Sequence, residues 1–210
     1  MPRFPRMTPA LLWVLVLPWS LSTAAVADRA APSTVTAATA AEPAAEEADA
    51  TTEPTVVILV RHAEKVTGTG GKDPKLTSVG RERAELLAQM LAGTDVAAVY
   101  STPFHRTRDT AGPIAAALGK DIRTVKPDPE HPQRLARRMA SEHAGETVLV
   151  VGHSNTIPTI LEALGVEGLD AELLDPKGHL HESDYDNLFV VFLHGGGARL
   201  LPFVYGRPTR

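Results

Sequence analysis

Val56-Val57-Ile58-Leu59-Val60-Arg61-His62 is the stretch on which the reading of this chain turns. An unbroken run of β-branched residues and leucine describes a strand covered on both faces, the habit of parallel sheets, rather than the alternation of a half-solvated strand. The run ends abruptly in a guanidinium and an imidazole. In open α/β sheets, ligands are met at the carboxyl ends of the strands. Here such an end carries a planar fork suited to phosphate oxygens beside a nitrogen that can act as base or nucleophile.

Working outward toward the C-terminus, a polar, glycine-rich loop spans Thr67 to Lys75. Leu76-Thr77-Ser78-Val79-Gly80 then leads into a helix over Arg81–Leu91, whose stripe is Leu86, Leu87, Met90 and Leu91 and whose stop is Gly93. Val96–Tyr100 reads as a second strand. Ser101-Thr102-Pro103 follows, then a helix running to Leu118-Gly119 and a short third strand within Asp121–Val125. His131–Ala140 is helical, with Leu135 and Met139 one turn apart. Thr147–Val151 is another apolar strand, ended by Gly152-His153, and Ile157–Leu164 is a helix stopped by Gly165. Leu188–Leu193 and Arg199–Val204 flank His194-Gly195-Gly196-Gly197 as a closing hairpin. Strands alternating with helices predict a single three-layer α/β domain, a mostly parallel sheet with helices on both faces.

Working outward toward the N-terminus, the organisation changes. Arg3 and Arg6 precede the apolar run from Ala10 through Trp19, and Ala25-Val26-Ala27 offers a small-x-small cleavage site. This predicts a secretory signal peptide over 1–27. Pro18, Ser20, Ser22 and Thr23 leave the run short of the roughly 20 apolar residues of a spanning helix, so no stable membrane anchor is expected after cleavage. Residues 28–54 are mostly Ala, Thr, Glu, Asp and Pro, with Val35 as the lone large aliphatic. Such a segment buries too little apolar surface to offset its ordering entropy, and is expected to be a disordered linker. The globular domain is therefore 55–210. An exported protein, periplasmic or secreted, is the expectation.

The chain carries a formal net charge of −4 and no cysteine. Much of the acidic excess sits in the linker at Glu42, Glu46, Glu47, Asp49 and Glu53, so the domain is near balance. This argues against nucleic acid as a partner and against binding to anionic membrane. The absence of cysteine excludes disulfides and thiolate metal sites.

If the strands are parallel neighbours, three exits converge: Arg61-His62, Ser101 through Ala111 with both Arg106 and Arg108, and Gly152-His153. Phosphoryl transfer asks for cationic donors on the equatorial oxygens and an in-line attacker. The convergent residues supply both, with His62 attacking phosphorus to form a phosphohistidine that water hydrolyses. No metal or other cofactor is required. An alternative nucleophile, Ser154 in Gly152-His153-Ser154, lacks the glycine of a nucleophile elbow two residues on, where Thr156 stands. His179, His181, Glu182, Asp184 and Asp186 could be taken for a metal cluster, but their polar setting predicts a solvated loop.

These motifs resemble the histidine phosphatase (phosphoglycerate mutase-like) superfamily. Val60-Arg61-His62-Ala63-Glu64 is similar to its arginine-histidine-glycine signature, with Ala63 in place of the glycine. Leu76-Thr77 with Gly80 is similar to its Leu-Thr-x-x-Gly helix entry, and Ser101 through Ala111 to its arginine box. Val150 through Ser154 is similar to its second-histidine segment. The resemblance implies His62 as the phosphorylated nucleophile and Arg61, Arg106 and His153 as the phosphate pocket; a protonated His153 would add positive charge, and an ordinary histidine pKa of about 6.5 makes either state accessible. It implies a small phosphorylated substrate. Asp128 and Glu130 stand near the place where many members carry a proton donor, and Ser154 replaces the aspartate of the larger acid phosphatase branch. The alternatives are a noncatalytic phospholigand-binding domain, a phosphohistidine-protein phosphatase, or a phosphoglycerate mutase.

Overall fold

The structure is a computed structural model describing residues 53–68, 72–195 and 197–209. The expected signal peptide and nearly all of the expected linker lie outside the described residues. No helix among the described residues is long and apolar enough to cross a membrane.

The elements in chain order are β1 (Thr55–Arg61), α1 (Ser78–Leu91), β2 (Val96–Ser101), α2 (His105–Leu118), β3 (Ile122–Thr124), α3 (His131–Glu142), β4 (Thr147–Gly152), α4 (Thr156–Ala163), β5 (Asn187–His194) and β6 (Gly197–Val204). One sheet holds all six strands in the order β3-β2-β4-β1-β5-β6. β3, β2, β4 and β1 are parallel, while β5 and β6 add an antiparallel hairpin beside β1.

β1 shows why the apolar run has no polar alternation. Val57 and Leu59 enter one core with Leu135 and Met139 of α3 and Ile157, Ile160 and Leu161 of α4. Ile58 and Val60 enter a second core with Leu87 and Leu91 of α1 and Ala111 and Ile114 of α2. Both pleat faces are covered, so the domain has three layers as expected. Each fully buried valine or leucine here contributes about 1.5–3 kcal/mol relative to its exposed state.

Local chemistry moves some boundaries. α1 begins at Ser78 rather than Arg81, because Thr77 is its N-cap and accepts from the Gly80 amide at 3.0 Å. The helix ends on Ala92 in a right-handed conformation, so Gly93 is not the left-handed stop expected of it. Gly119 does play that part for α2, at φ +62°. β3 shrinks to three residues because it borders only β2, and all three are at least partly exposed.

Candidate active site

The sheet order β2-β4-β1 places three strand ends side by side. The register is level: Arg61 pairs with Gly152 and Ser101 with Val151. The His62 amide continues the ladder to the Gly152 carbonyl at 2.9 Å. His62 and His153, 91 residues apart by numbering, therefore meet with ring centroids 5.4 Å apart. Arg61, His62, Lys65, Phe104, Arg106, Pro127, His153, Ser154, Asn155 and Thr156 line a cavity of about 290 Å³ there. A larger cavity, about 460 Å³ between Val166–Asp170 and β6, holds no histidine and is remote from these strand ends.

The segment after β1 is held from two sides. The Thr77 amide donates to the Glu64 carbonyl at 2.8 Å, and a Cβ on Gly80 would collide with that same carbonyl. Glycine there lets the start of α1 lie directly on the backbone that follows His62. On the other side, the Ala63 amide donates to Thr110 Oγ1 at 2.9 Å, and Thr110 donates to the Arg106 carbonyl at 2.7 Å. Ala63 itself is fully buried against Leu76 and Ala84, a small pocket its methyl group fills.

His62 Nδ1 lies 2.8 Å from the Ala63 carbonyl oxygen. A carbonyl only accepts, so Nδ1 carries the proton and Nε2 keeps its lone pair. Burial, aided by Arg61, His153 and Arg106 and opposed by the Ala63 bond, holds its pKa down to about 3. His153 is likewise lowered to about 3, first by burial and then by Arg106, His131, Arg61 and Lys65. Of the two states open to His153 from the sequence, its surroundings favour the neutral one. Cations crowd it, and only an arriving anion would favour the imidazolium.

The two arginines divide differently from the sequence expectation. Arg61 is 1 % exposed, and its Nη1 donates to the carbonyls of His181, Glu182 and Asp184 at 2.8, 3.1 and 3.0 Å. Its Nη2 pairs with Glu182 at 3.2 Å, its guanidinium lies over the Tyr185 ring at 4.3 Å, and only Nε is unpartnered. Arg106 is far less committed, with Asp73 at 3.5 Å and the Phe104 ring beneath it at 4.4 Å. Arg106 is the principal open fork, and Arg61 chiefly anchors the segment over the site.

That segment is not the solvated loop expected from its polar sequence. Leu180 and Asp184 are 1 % exposed, and Asp186 holds Thr209 at 2.6 Å. Glu182 bridges Arg61 and Lys65, the latter at 2.9 Å. Among the described residues, no group of three or more His, Cys, Asp or Glu side chains could hold a metal ion. Asp128 and Glu130 do not line the cavity; Pro127 alone represents their segment there. Asp128 is paired with Arg134 at 2.8 Å, which holds its carboxyl below the usual range. Sequence reasoning missed Lys65, Asp73 and Tyr185 as site residues. Lys65 stands three residues from His62 and was findable; Asp73 and Tyr185 carry no local signal.

The model of the histidine phosphatase superfamily (branch 1) matches residues 57–129, the stretch that holds His62 and Arg106. Over that stretch the chain resembles the histidine phosphatase superfamily. Phosphoserine phosphatase 1 of Hydrogenobacter thermophilus is 40% identical over 77 residues, 34% of this chain and 36% of that protein. The chain thus matches about a third of the length of that curated relative. The Agrobacterium tumefaciens structure assigned as the phosphohistidine phosphatase SixA is 26% identical, covers 73% of this chain and 99% of that one, and has a TM-score of 0.55. Phosphoserine phosphatase from Entamoeba histolytica, solved with 3-phosphoglyceric acid, shares the fold at 20% identity, 73% and 98% coverage and a TM-score of 0.55. The matched stretch holds the Arg61-His62, Leu76-Thr77-Gly80 and Arg106 motifs, and the His153 segment lies beyond it. The segment over the site, 179–186, lies beyond the matched stretch.

Proposed function

We propose that this protein hydrolyses a small phosphomonoester through a covalent phosphohistidine on Nε2 of His62. The observation that carries this reading is the Nδ1–Ala63 bond, which leaves the nucleophilic lone pair of His62 in a cavity it shares with Arg106, Arg61 and His153. Arg106 and the free Nε of Arg61 neutralise the phosphoryl oxygens while Nε2 attacks phosphorus. The N–P bond forms as the ester P–O bond breaks, and the departing oxygen takes a proton from solvent to leave as an alcohol. Water then attacks phosphorus as the N–P bond breaks, returning a proton to solvent, restoring the lone pair and releasing phosphate. The protein's own cations supply the charge stabilisation, without a cofactor.

The Hydrogenobacter thermophilus and Agrobacterium tumefaciens relatives support a hydrolase, and the cationic lining of Arg61, Lys65 and Arg106 supports a small anionic substrate. An aryl phosphate tests the reading. Turnover should be abolished in His62→Ala, with acid-labile phosphate trapped on wild-type His62. Phosphate binding without hydrolysis at any pH would replace the enzyme with a phospholigand-binding domain. Export belongs to the same proposal, supported by the basic start, the apolar run and Ala25-Val26-Ala27; N-terminal sequencing of protein recovered from its producing cell tests it.

A further inference from the structure

We infer that Thr102, backed by Thr107, is a positioning residue that fixes which nitrogen of His153 faces the phosphoryl group. Three buried side chains form a line: Thr107 is 0 %, Thr102 1 % and His153 6 % exposed. Thr107 Oγ1 lies 2.9 Å from the Phe104 carbonyl and 3.0 Å from that of Thr102, and two carbonyls can use its proton only as acceptors. Thr102 Oγ1 lies 2.7 Å from Thr107 Oγ1, so the Thr102 proton goes there. Thr102 Oγ1 then has only a lone pair to offer His153 Nε2, at 2.9 Å. A hydroxyl has one proton, and this order uses each proton once and leaves no buried lone pair opposing another. Nε2 of His153 therefore carries the hydrogen, and Nδ1 keeps the lone pair.

The consequence reaches the chemistry. Nδ1 has no hydrogen-bond partner among the described residues, and the ring stands edge-on to His62 and to Phe104 at 5.4 Å each. A bare lone pair would repel a phosphoryl oxygen, so anion binding is coupled to proton uptake at Nδ1. The proton gained becomes a charge-assisted donor to the transferring group. Arg106, His131, Arg61 and Lys65 act on this ring electrostatically, and the His62 ring stands 5.4 Å from it. They oppose the imidazolium until the anion arrives, while Thr102 continues to accept from Nε2–H in both states. Thr102 thus acts through His153 and contributes no contact of its own to the substrate.

This inference rests on the phosphatase reading for its catalytic consequence, but the tautomer does not. Long-range ¹⁵N–¹H NMR of the histidines distinguishes the two forms directly. The phosphate-free protein should show His153 as the Nε2–H tautomer, and saturating inorganic phosphate should protonate Nδ1. Thr102→Val, nearly isosteric, should lose the fixed tautomer and lower aryl-phosphate kcat at least tenfold, whereas Thr102→Ser should stay within threefold of wild type. An Nδ1–H tautomer in the free protein, or a valine variant with wild-type spectrum and kcat, overturns the inference. Aryl-phosphate turnover with the wrong tautomer removes this inference alone. The expected tautomer in a protein that never turns over removes only the phosphatase reading.

Discussion

The lowered histidines make a quantitative demand on stability. His62 and His153 are held to about 3 in the folded protein, whereas an unfolded histidine titrates near 6.5. Between those values the unfolded chain binds protons that the folded one refuses, so stability falls as pH falls. The loss begins below about pH 6.5 and ends near pH 3. Integrating from pH 7.5 to 5.0 gives about 2 kcal/mol for each histidine. The perturbation that isolates one of them is His62→Gln, which keeps a polar side chain and abolishes the titration. Urea denaturation at the two pH values, followed by far-UV circular dichroism, measures the difference. Circular dichroism is needed because Trp13 and Trp19, the chain's tryptophans, both lie within the expected signal peptide. Wild type should lose about 2 kcal/mol more than the variant on acidification. Other groups, His131 among them, cancel in the comparison. Equal losses in the two proteins, or an NMR midpoint for His62 near 6.5, would refute the argument. The same refusal of protons keeps the nucleophile available in mildly acidic solution, so aryl-phosphate turnover should not be lost there through protonation of His62.

Glu182, paired with the cavity-lining Arg61 and Lys65, sets one negative charge beside the site a phosphate dianion would enter. Glu182→Gln keeps the hydrogen-bonding shape toward Arg61 and Lys65, and removing that screened charge is worth on the order of 1 kcal/mol, so KM for an aryl phosphate should fall about fivefold; a higher KM would count against the reading. Arg83 is 4 % exposed, grips Glu64 with Nη2 at 2.9 Å, and caps the carbonyls of Tyr205 and Arg207 at 2.7 and 2.8 Å. Arg83→Met should cost about 3 kcal/mol in urea denaturation by stranding a mostly buried carboxylate, and a cost below about 1 kcal/mol would show that Glu64 finds solvent instead.

Much of the architecture was legible because it depends on local, periodic information. The apolar β1 run announced a strand covered on both sides, and Val57/Leu59 and Ile58/Val60 do enter opposite cores. Gly80 was legible as part of a motif, though its reason, the approach of α1 to the Glu64 carbonyl, needed coordinates. The polar composition of 179–186 misled, since hydrophilicity measures only transfer to water. It does not register that Arg61, buried on β1, has three backbone carbonyls of that segment as acceptors.

By itself, the sequence determined the strand–helix alternation and the placing of Arg61, His62 and His153 at strand ends, while the preference for Arg106, in the first turn of α2, came from the resemblance. The alternation and the strand ends follow from hydrophobic period, which neighbours along the chain largely express. Tertiary structure decided which groups serve which oxygen, nitrogen or charge. It turned Arg61 toward the covering segment and left Arg106 open. It removed Asp128 to Arg134 and brought Glu182 to Lys65. It also lowered the pKa of His153, because burial and surrounding cations act through space and depend on distances that one-dimensional order does not contain.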